Sequence, residues 1–250
     1  MTMLYTGSMF GIMTVYFFAD RHIGKVDVMM LTRREKERQT REHNMIKAAE
    51  QVFCQYGFEA ASMDEIAKEA QFTKRTLYQY FENKYELYFA VTLRGYQLLD
   101  SLQTAVGKKE KNGYDKLESM YHSYYKFYRE NLQLFRLMNG WSHIKNQSEG
   151  EGPWESSLIL YHNNMIHRIA AMIEEGKADG SIQPETDAQK TSRSIVFLMN
   201  GFFDQLTASG DTLQADYALD QESFCRFTID LVIKPFKRSR AILATRKGTV

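Results

Sequence analysis

The 250-residue sequence has few of the residues that mark several large classes of protein. Its two cysteines, Cys54 and Cys225, lie far apart and form no CxxC pair, which argues against a disulfide framework and favours a reducing compartment, the cytoplasm. With only three prolines and fifteen glycines, the chain has room for long helices. The six histidines show no HExxH or other metal-ligand spacing, so no metal site and no cofactor are predicted.

Long hydrophobic runs are also scarce. Residues 9–19, MFGIMTVYFFA, make an apolar stretch of eleven, whereas a membrane-spanning helix needs about 20. No Lys or Arg precedes this stretch and no small-x-small cleavage site follows it, as a signal peptide would require. We therefore expect residues 1–30 to be a non-core N-terminal extension, with translation starting at Met29 or Met30, and no membrane partner. A targeting or membrane-associated segment is the alternative.

Charge is nearly balanced over the whole chain, at a formal +1, so it does not by itself indicate nucleic-acid binding. The local distribution is less even. Residues 29–47 hold six Lys/Arg against three Glu, and residues 231–250 hold six Lys/Arg with no acid. The second of these basic segments is either a solvated end of the chain or an additional contact with DNA phosphate.

Hydrophobic periodicity after Leu31 is helical throughout, and no strand-like alternation is convincing. Met45, Ala49, Val52 and Tyr56 share one face of a helix that Gly57 is suited to end. Further helical patterns follow to about residue 233, including one that runs from Asn83 to beyond residue 98. The fold class predicted is all-α, with nine or ten helices.

Residues 57–87, GFEAASMDEIAKEAQFTKRTLYQYFENKYEL, predict two short helices and the start of a third. Ser62 with Glu65 has the spacing of a capping box, Thr73 caps the second helix, and Asn83 caps the third. Only two residues separate the first two helices, which forces them to cross steeply. That arrangement is typical of a helix-turn-helix, whose second helix enters the DNA major groove.

The same segment resembles the DNA-binding domain of the TetR/AcrR transcriptional regulators, over roughly residues 45–91. Three positions depart from the family pattern, which usually has Thr at Ala61, Gly at Gln71 and His at Tyr80. We expect Gln71 to adopt the left-handed conformation of that glycine, at a cost of about 1 kcal/mol. The matching residues are Ala49, Phe53, Gly57, Phe58, Ser62, Ile66, Ala67, Ala70, Thr73, Lys74, Thr76, Leu77, Tyr78, Phe81, Lys84 and Leu87.

The resemblance implies a three-helix helix-turn-helix DNA-binding domain at residues 31–84 and a helical ligand-binding and dimerisation domain at residues 85–250. The partner expected is double-stranded DNA with a pseudo-palindromic operator, read by a homodimer. By residue type, Lys74, Arg75 and Gln79 suit base edges. The rest of the predicted DNA-binding set suits phosphates and helix caps, namely Ser62, Thr73, Thr76, Tyr78, Tyr80 and Lys84.

In the second domain, tyrosines recur at helical spacing and either line an aromatic cavity for a small-molecule effector or form ordinary core. A buried tyrosine hydroxyl needs a partner, which a ligand or a water molecule could supply. An apolar cavity would favour a hydrophobic or aromatic ligand. The candidate ligand-binding residues are Tyr121, Tyr124, Tyr125, Tyr128, Trp141, Tyr161 and Met165.

For the dimer, the family position favours helices over residues 153–177 and 187–208, where Gly201 permits close helix approach or marks a kink. The leading hypothesis is a cytoplasmic, ligand-responsive repressor. The alternative is a constitutive or architectural DNA-binding protein without an inducer, for which the tyrosines form a filled core. An enzyme is not expected, because the sequence has no Ser-His-Asp set, paired carboxylate motif or phosphate loop.

Overall fold

The computed structural model of the chain describes residues 32–107, 110–148, 150–209, 212, 215 and 218–238. Residues 1–30, and the part of the basic C-terminal segment beyond residue 238, lie outside this range. The all-α prediction is confirmed: the described residues form nine α-helices and a 3-10 helix. Their bounds are α1 Arg33–Ala60, α2 Met63–Glu69, α3 Lys74–Tyr78, α4 Lys84–Gly107, α5 Gly113–Glu130, α6 Leu132–Lys145, α7 Pro153–Asp179, α8 Ala188–Ser209, α9 Gln221–Ile233 and the 3-10 helix Lys234–Phe236.

The chain divides into two compact units. The N-terminal unit comprises the described residues up to Gly95 together with Gly140–Leu160. The C-terminal unit comprises Tyr96–Asn139 and the described residues from Tyr161 onward. The boundaries fall inside α4, α6 and α7, so each of these helices contributes residues to both units.

The core of the N-terminal unit holds α2 and α3 against the second half of α1. Met45, Ala49 and Phe53 of α1 are buried, as are Ile66 of α2 and Leu77 of α3. Burial of such side chains contributes about 1.5–3 kcal/mol each. The two short helices are therefore positioned by their few apolar residues, and their other faces are left to solvent.

Gly57 ends the regular part of α1. Its φ of 79° and ψ of 169° lie outside the helical region, as expected for a glycine in that place. Tyr56 shares a helix face with Met45, Ala49 and Val52, but it is 51% exposed. Burial on this face stops at Val52, one turn earlier, and the period alone gives no sign of where a face leaves the core.

Glu86, in the first turn of α4, fixes the start of α7 within the same unit. Its buried carboxylate accepts hydrogen bonds from the backbone N–H groups of Trp154, at 2.9 Å, and Glu155, at 3.2 Å. Burial raises the pKa of this carboxyl, and the two N–H donors oppose that shift. Glu86 leaves no room for a side chain at Gly152, since a Cβ there would lie 2.2 Å from the Glu86 carboxyl carbon.

The C-terminal unit is centred on an aromatic cluster around Phe203 of α8. The ring of Phe203 lies 5.1 Å from those of Tyr124 and Tyr128 and 5.6 Å from that of Phe135, measured between centroids. Edge-to-face and tilted pairs of this kind add about 0.5–1.5 kcal/mol each beyond their buried area. The cluster joins α5, α6 and α8 through side chains far apart in the sequence.

Candidate DNA-binding surface

The capping predicted for α2 is present. The Glu65 N–H donates to the Ser62 hydroxyl oxygen at 3.2 Å, and the Glu65 carboxylate accepts from the Ser62 N–H at 2.9 Å. The Ser62 hydroxyl also donates to this carboxylate, at 2.8 Å. Ser62 thus fixes the start of α2, and a contact between its hydroxyl and DNA stays a prediction.

The turn between α2 and α3 has the geometry that the resemblance predicted. Gln71 has a φ of 58°, in the left-handed region, and the N–H of Phe72 donates to the Ala67 carbonyl at 2.9 Å. Thr73 then caps α3, because its hydroxyl accepts from the Thr76 N–H at 3.1 Å. The hydroxyls of Thr73 and Thr76 also lie 2.8 Å apart and share a hydrogen bond. Local hydrogen bonds therefore fix the start of α2, the turn and the start of α3.

One face of α3 is open to solvent and available to a partner. Leu77 points inward and is fully buried, while Arg75 and Gln79 are exposed. Neither of these two side chains makes a hydrogen bond or ion pair within the described part of the chain. Because their donors and acceptors are unused, Arg75 of α3 and Gln79, its C-cap residue, are best placed to read base edges.

Lys74 is held differently from its neighbours on α3. Its ammonium forms an ion pair with the Asp64 carboxylate of α2 at 2.7 Å, and this hydrogen bond raises the pKa of Lys74. Both side chains are exposed, so solvent screens the pair and the Lys74 ammonium can exchange Asp64 for another partner. Asp64 carries no sequence signal for this role. Lys74 remains a candidate base contact, with a competing partner already in place.

Two tyrosines flank the C-terminal end of α3. Tyr78 is 46% exposed, which suits a hydroxyl predicted to contact phosphate. Tyr80 is half-buried, and the guanidinium carbon of Arg38, on α1, lies 5.4 Å from the centre of its ring. This cation–π contact brings a positive charge of α1 close to the end of α3. The sequence pattern did not predict the contact.

Lys84 has a structural role that its sequence position did not reveal. Its ammonium donates to the backbone carbonyls of Phe58 at 2.7 Å, Ala61 at 3.0 Å and Glu59 at 3.3 Å. It also lies 4.4 Å from the centre of the Phe58 ring. Since an ammonium has three N–H donors, all of them are engaged at the C-terminal end of α1. A phosphate contact by Lys84 stays a prediction, and it would have to replace one of these bonds.

The predicted ligand-binding tyrosines are brought together only in part. Tyr124, Tyr125 and Tyr128 pack around Phe203, and the Tyr124 hydroxyl lies 3.1 Å from the Asn200 amide oxygen. These three are core residues of the C-terminal unit. The roles of Phe203 and Asn200 depend on contacts between distant helices, and no local pattern indicated them.

Tyr121 stands apart from the other tyrosines of α5. Its ring is buried, and its hydroxyl has no hydrogen-bond partner among the described residues. Burial raises the pKa of this hydroxyl far above its ordinary value, so it stays protonated and acts as a donor. A buried unpaired hydroxyl costs about 1–3 kcal/mol, which marks the position as one where a bound molecule could supply the partner.

The remaining candidate ligand residues do not form one group. Tyr161 is buried in the C-terminal unit, where its hydroxyl donates to the Tyr96 carbonyl at 3.3 Å. Met165 is half-buried in the same unit, whereas Trp141 is half-buried in the N-terminal unit. Among the residues that the structure describes, no cluster of acidic, histidine or cysteine side chains could hold a metal ion. No helix within that same range is long and apolar enough to cross a bilayer.

Comparison with known proteins agrees with the helix-turn-helix geometry. Residues 45–91 match the model of bacterial regulatory proteins of the tetR family. The chain is 35% identical over 104 residues to the HTH-type transcriptional activator FasR of Mycolicibacterium smegmatis, an alignment covering 40% of this chain and 46% of FasR. The chain therefore spans about half the length of this relative.

Solved structures show the same fold over most of the chain. The complex of AibR with isovaleryl coenzyme A and operator DNA superimposes with a TM-score of 0.59 at 18% identity, covering 78% of this chain and all (100%) of AibR. FadR from Bacillus subtilis in complex with stearoyl-CoA gives a TM-score of 0.59 at 15% identity, covering 77% of this chain and 97% of FadR. An N-terminal helix-turn-helix followed by a helical C-terminal region is thus confirmed, and its residues 45–91 are similar to the DNA-binding segment of the tetR family of bacterial regulatory proteins.

Proposed function

We propose that this protein is a sequence-specific DNA-binding transcriptional regulator that leaves its operator when it binds a small hydrophobic ligand. The observation that carries the proposal is the exposed face of α3. Arg75 and Gln79 lie there without partners, on a helix fixed by the Thr73 cap and buried Leu77. A polar face that is both rigid and unpaired is what base recognition in the major groove requires.

Positioning on the DNA falls to the residues around this face. Thr73 presents the free N–H groups of a helix start, and Tyr78 and Tyr80 add hydroxyl donors for phosphate oxygens. These contacts set the register of α3 and carry little sequence information. Specificity then comes mainly from Arg75, through guanine O6 and N7, and from Gln79, through adenine N6 and N7.

A homodimer is proposed from apolar residues that the C-terminal unit leaves in solvent. Phe197 is 79% and Leu198 57% exposed on α8, while Phe227 is 64% and Leu231 62% exposed on α9. The two helices are neighbours, since the rings of Phe202 and Phe224 lie 5.7 Å apart. Such a patch is typical of a protein–protein interface.

These exposures support an interface formed by α8 and α9. The pair predicted from the sequence, over residues 153–177 and 187–208, shares α8 with this proposal and stays a prediction for its other helix. The α7 stretch shows one large exposed apolar residue, Leu160, which belongs to the N-terminal unit. Gly201 of α8 faces open space, so a second copy of the helix could approach it closely. Two identical subunits then read two related half-sites, which gives a pseudo-palindromic operator.

The ligand is proposed to reach the Tyr121 hydroxyl. AibR and FadR were solved with isovaleryl coenzyme A and stearoyl-CoA, so acyl-CoA compounds of short and long chain are the first probes. A ligand weakens DNA binding only by the difference between its affinities for the free and DNA-bound conformations. Repression is the proposed outcome in the cytoplasm, with no enzymatic step. FasR is named an activator, so a promoter fusion should establish the sign of regulation.

The test is fluorescence anisotropy of the purified protein against duplexes that tile the DNA upstream of its gene, near physiological salt and with excess competitor DNA. We expect one tile to bind with a Kd of about 10⁻⁸ M or tighter. The double variant Arg75→Ala/Gln79→Ala should lose that preference, and its circular dichroism should be unchanged because both side chains are exposed.

Equal weak binding to every tile would refute regulation of the neighbouring locus. Once an operator is known, acyl-CoA titration of the complex distinguishes the two hypotheses for the C-terminal unit. Release by one compound supports the ligand-responsive regulator. If no hydrophobic or aromatic compound tested causes release, the constitutive regulator is the hypothesis that survives. The tyrosines around Phe203 would then serve only to fill the core.

A further inference from the structure

The first three turns of α1 extend beyond the folded core. From Thr32 to Asn44 no residue is buried, and Met45 is the first buried residue of the helix. At 1.5 Å per residue, this stretch is roughly 18 Å long, and only Gln39 and Glu42 within it are half-buried. Its first turn is fixed by the Thr32 capping box, in which Glu35 accepts from the Thr32 N–H at 2.7 Å.

Three arginines continue the buried face of α1 into this projecting stretch. At about 100° per residue, Arg34, Arg38 and Arg41 fall within about 60° of one another and on the same side as Met45. The face that meets the core in the second half of α1 is therefore a row of positive charge in the first half. Met45 marks the change from one to the other.

The arginine row, Arg34, Arg38 and Arg41, is not neutralised by ion pairs within the described residues. The acids nearby are mostly engaged elsewhere. Glu35 serves the Thr32 cap, and Glu37 pairs with Arg33 at 2.9 Å. Glu42 is half-buried and lies one turn from Arg38, whose charge lowers the pKa of Glu42 while burial raises it more strongly. At most one of the three arginine charges is thus offset.

The position of the row relative to α3 is fixed by Arg38. Its guanidinium carbon lies 5.4 Å from the centre of the Tyr80 ring, and Tyr80 follows α3 by two residues. If Tyr80 contacts a phosphate at the edge of the major groove, Arg38 lies close to the backbone of the same DNA strand. Arg34 and Arg41 span roughly 10 Å along the helix axis, and successive phosphates of one strand lie 3.4 Å apart along the DNA axis, so the row is long enough to contact about three phosphates.

We propose that the arginine row is a second phosphate-binding element, which contacts the DNA backbone that flanks the half-site read by α3. This inference rests on the proposed DNA-binding function and deepens it. It assigns to α1 a role that neither capping nor core packing requires. The consequence is a footprint longer than the bases that α3 reads, with an affinity that depends on flanking DNA of any sequence.

The experiment compares the salt dependence of operator binding for three proteins: wild type, the variant Arg34→Ala/Arg38→Ala/Arg41→Ala, and the control Arg33→Ala/Lys36→Ala/Lys47→Ala. The control removes the same charge from the opposite face of α1. All six side chains are exposed, so the fold should persist in both variants. The slope of log K against log salt falls by about 0.9 for each phosphate that the protein no longer neutralises. We expect the arginine-row variant to be shallower by about 2.7 per bound subunit and the control to change by less than half of that.

A second arm shortens the duplex. With DNA trimmed to the two half-sites, wild type and the arginine-row variant should bind alike. Equal slopes for the two variants on the long duplex would overturn the inference, because net charge alone would then explain the effect. An unchanged slope in the arginine-row variant would overturn it as well. The proposed function fails separately, if wild type shows no preference for any duplex over competitor DNA.

Discussion

Helix α3 and the tyrosine row of α5 are both stretches of polar and aromatic residues at helical spacing, yet their side chains end in opposite environments. On α3, Arg75, Tyr78 and Gln79 lie in solvent. On α5, Tyr124 and Tyr128 are buried against Phe203. The position of α3 is set by local hydrogen bonds, and the capping residues that make them can be recognised by their spacing in the sequence. That of the α5 tyrosines is decided by a residue of α8, some 75 positions away in the chain.

Replacement of Phe203 should have the largest effect on stability. Phe203→Ala removes the ring shared by α5, α6 and α8 and leaves a cavity, so the free energy of unfolding should fall by about 3–5 kcal/mol. Urea denaturation followed by circular dichroism measures this change. Tyr56→Ala, at an exposed position, is the control and should stay within about 0.5 kcal/mol of wild type. A small effect of Phe203→Ala would mean that the tyrosine row does not depend on distant helices.

Lys84 tests whether the helix-turn-helix also depends on long-range contacts, because its ammonium binds carbonyls that lie more than 20 residues earlier in the chain. Lys84→Ala leaves the carbonyls of Phe58, Glu59 and Ala61 without their shared donor and should cost about 1.5–3 kcal/mol of unfolding free energy. Lys68→Ala, on the exposed side of α2, should be nearly neutral. If Lys84→Ala leaves stability intact and flattens only the salt dependence of DNA binding, the phosphate role is its main one.

The unpaired hydroxyl of Tyr121 sharpens the comparison within α5 itself. Tyr121→Phe removes a buried polar atom without a partner, so stability should be unchanged or rise by about 1 kcal/mol. Tyr124→Phe removes a hydroxyl placed 3.1 Å from Asn200 and should lower stability by about 1 kcal/mol. The same two variants, tested for ligand-induced release from DNA, should separate as well: Tyr121→Phe weakens release, and Tyr124→Phe retains it. Loss of stability in Tyr121→Phe would show that its hydroxyl is already bonded in the free protein.

The smallest effect concerns the turn before α3. Gln71 has a φ of 58°, so Gln71→Gly relieves a left-handed conformation that costs about 1 kcal/mol or more, while the added freedom of the unfolded chain takes back part of the gain. We expect a net stabilisation of about 0.5 kcal/mol. Gln79→Gly makes the same change at a φ of −75° and should destabilise by about 0.5–1 kcal/mol. Thermal denaturation of both variants measures the difference, and equal signs would contradict the local account of this turn.

The features that the sequence predicted correctly share a local cause. The Ser62 capping box and the end of regular helix at Gly57 each depend on residues within about four positions. The left-handed conformation of Gln71 was predicted from the family resemblance, and the structure confirms it. Asn83 was likewise predicted correctly as the cap of α4, since its side chain accepts from the Glu86 N–H at 2.9 Å. Residues that form hydrogen bonds this close in sequence have a fixed spacing, and that spacing can be recognised in the sequence.

The features that the sequence did not predict depend on where other helices lie. Neither the bonds of Lys84 to the end of α1 nor the contact of Arg38 with Tyr80 has a spacing rule. Nor could residue type alone separate the packed Tyr124 from the unpaired Tyr121, which lies one turn earlier on the same helix. The geometry of the helix-turn-helix was therefore largely predictable, and the candidate ligand site was predictable only as a set of aromatic residues.

The most direct test of the central claim is a set of operator duplexes, each with one altered base pair, bound by wild type and by Arg75→Ala. If α3 reads bases through its unpaired side chains, wild type should lose about 1–3 kcal/mol at particular positions of each half-site. Arg75→Ala should then tolerate all four base pairs at one of those positions and keep its preferences elsewhere. Uniformly weaker binding of Arg75→Ala to every duplex, with each preference of the wild type retained, would contradict the account.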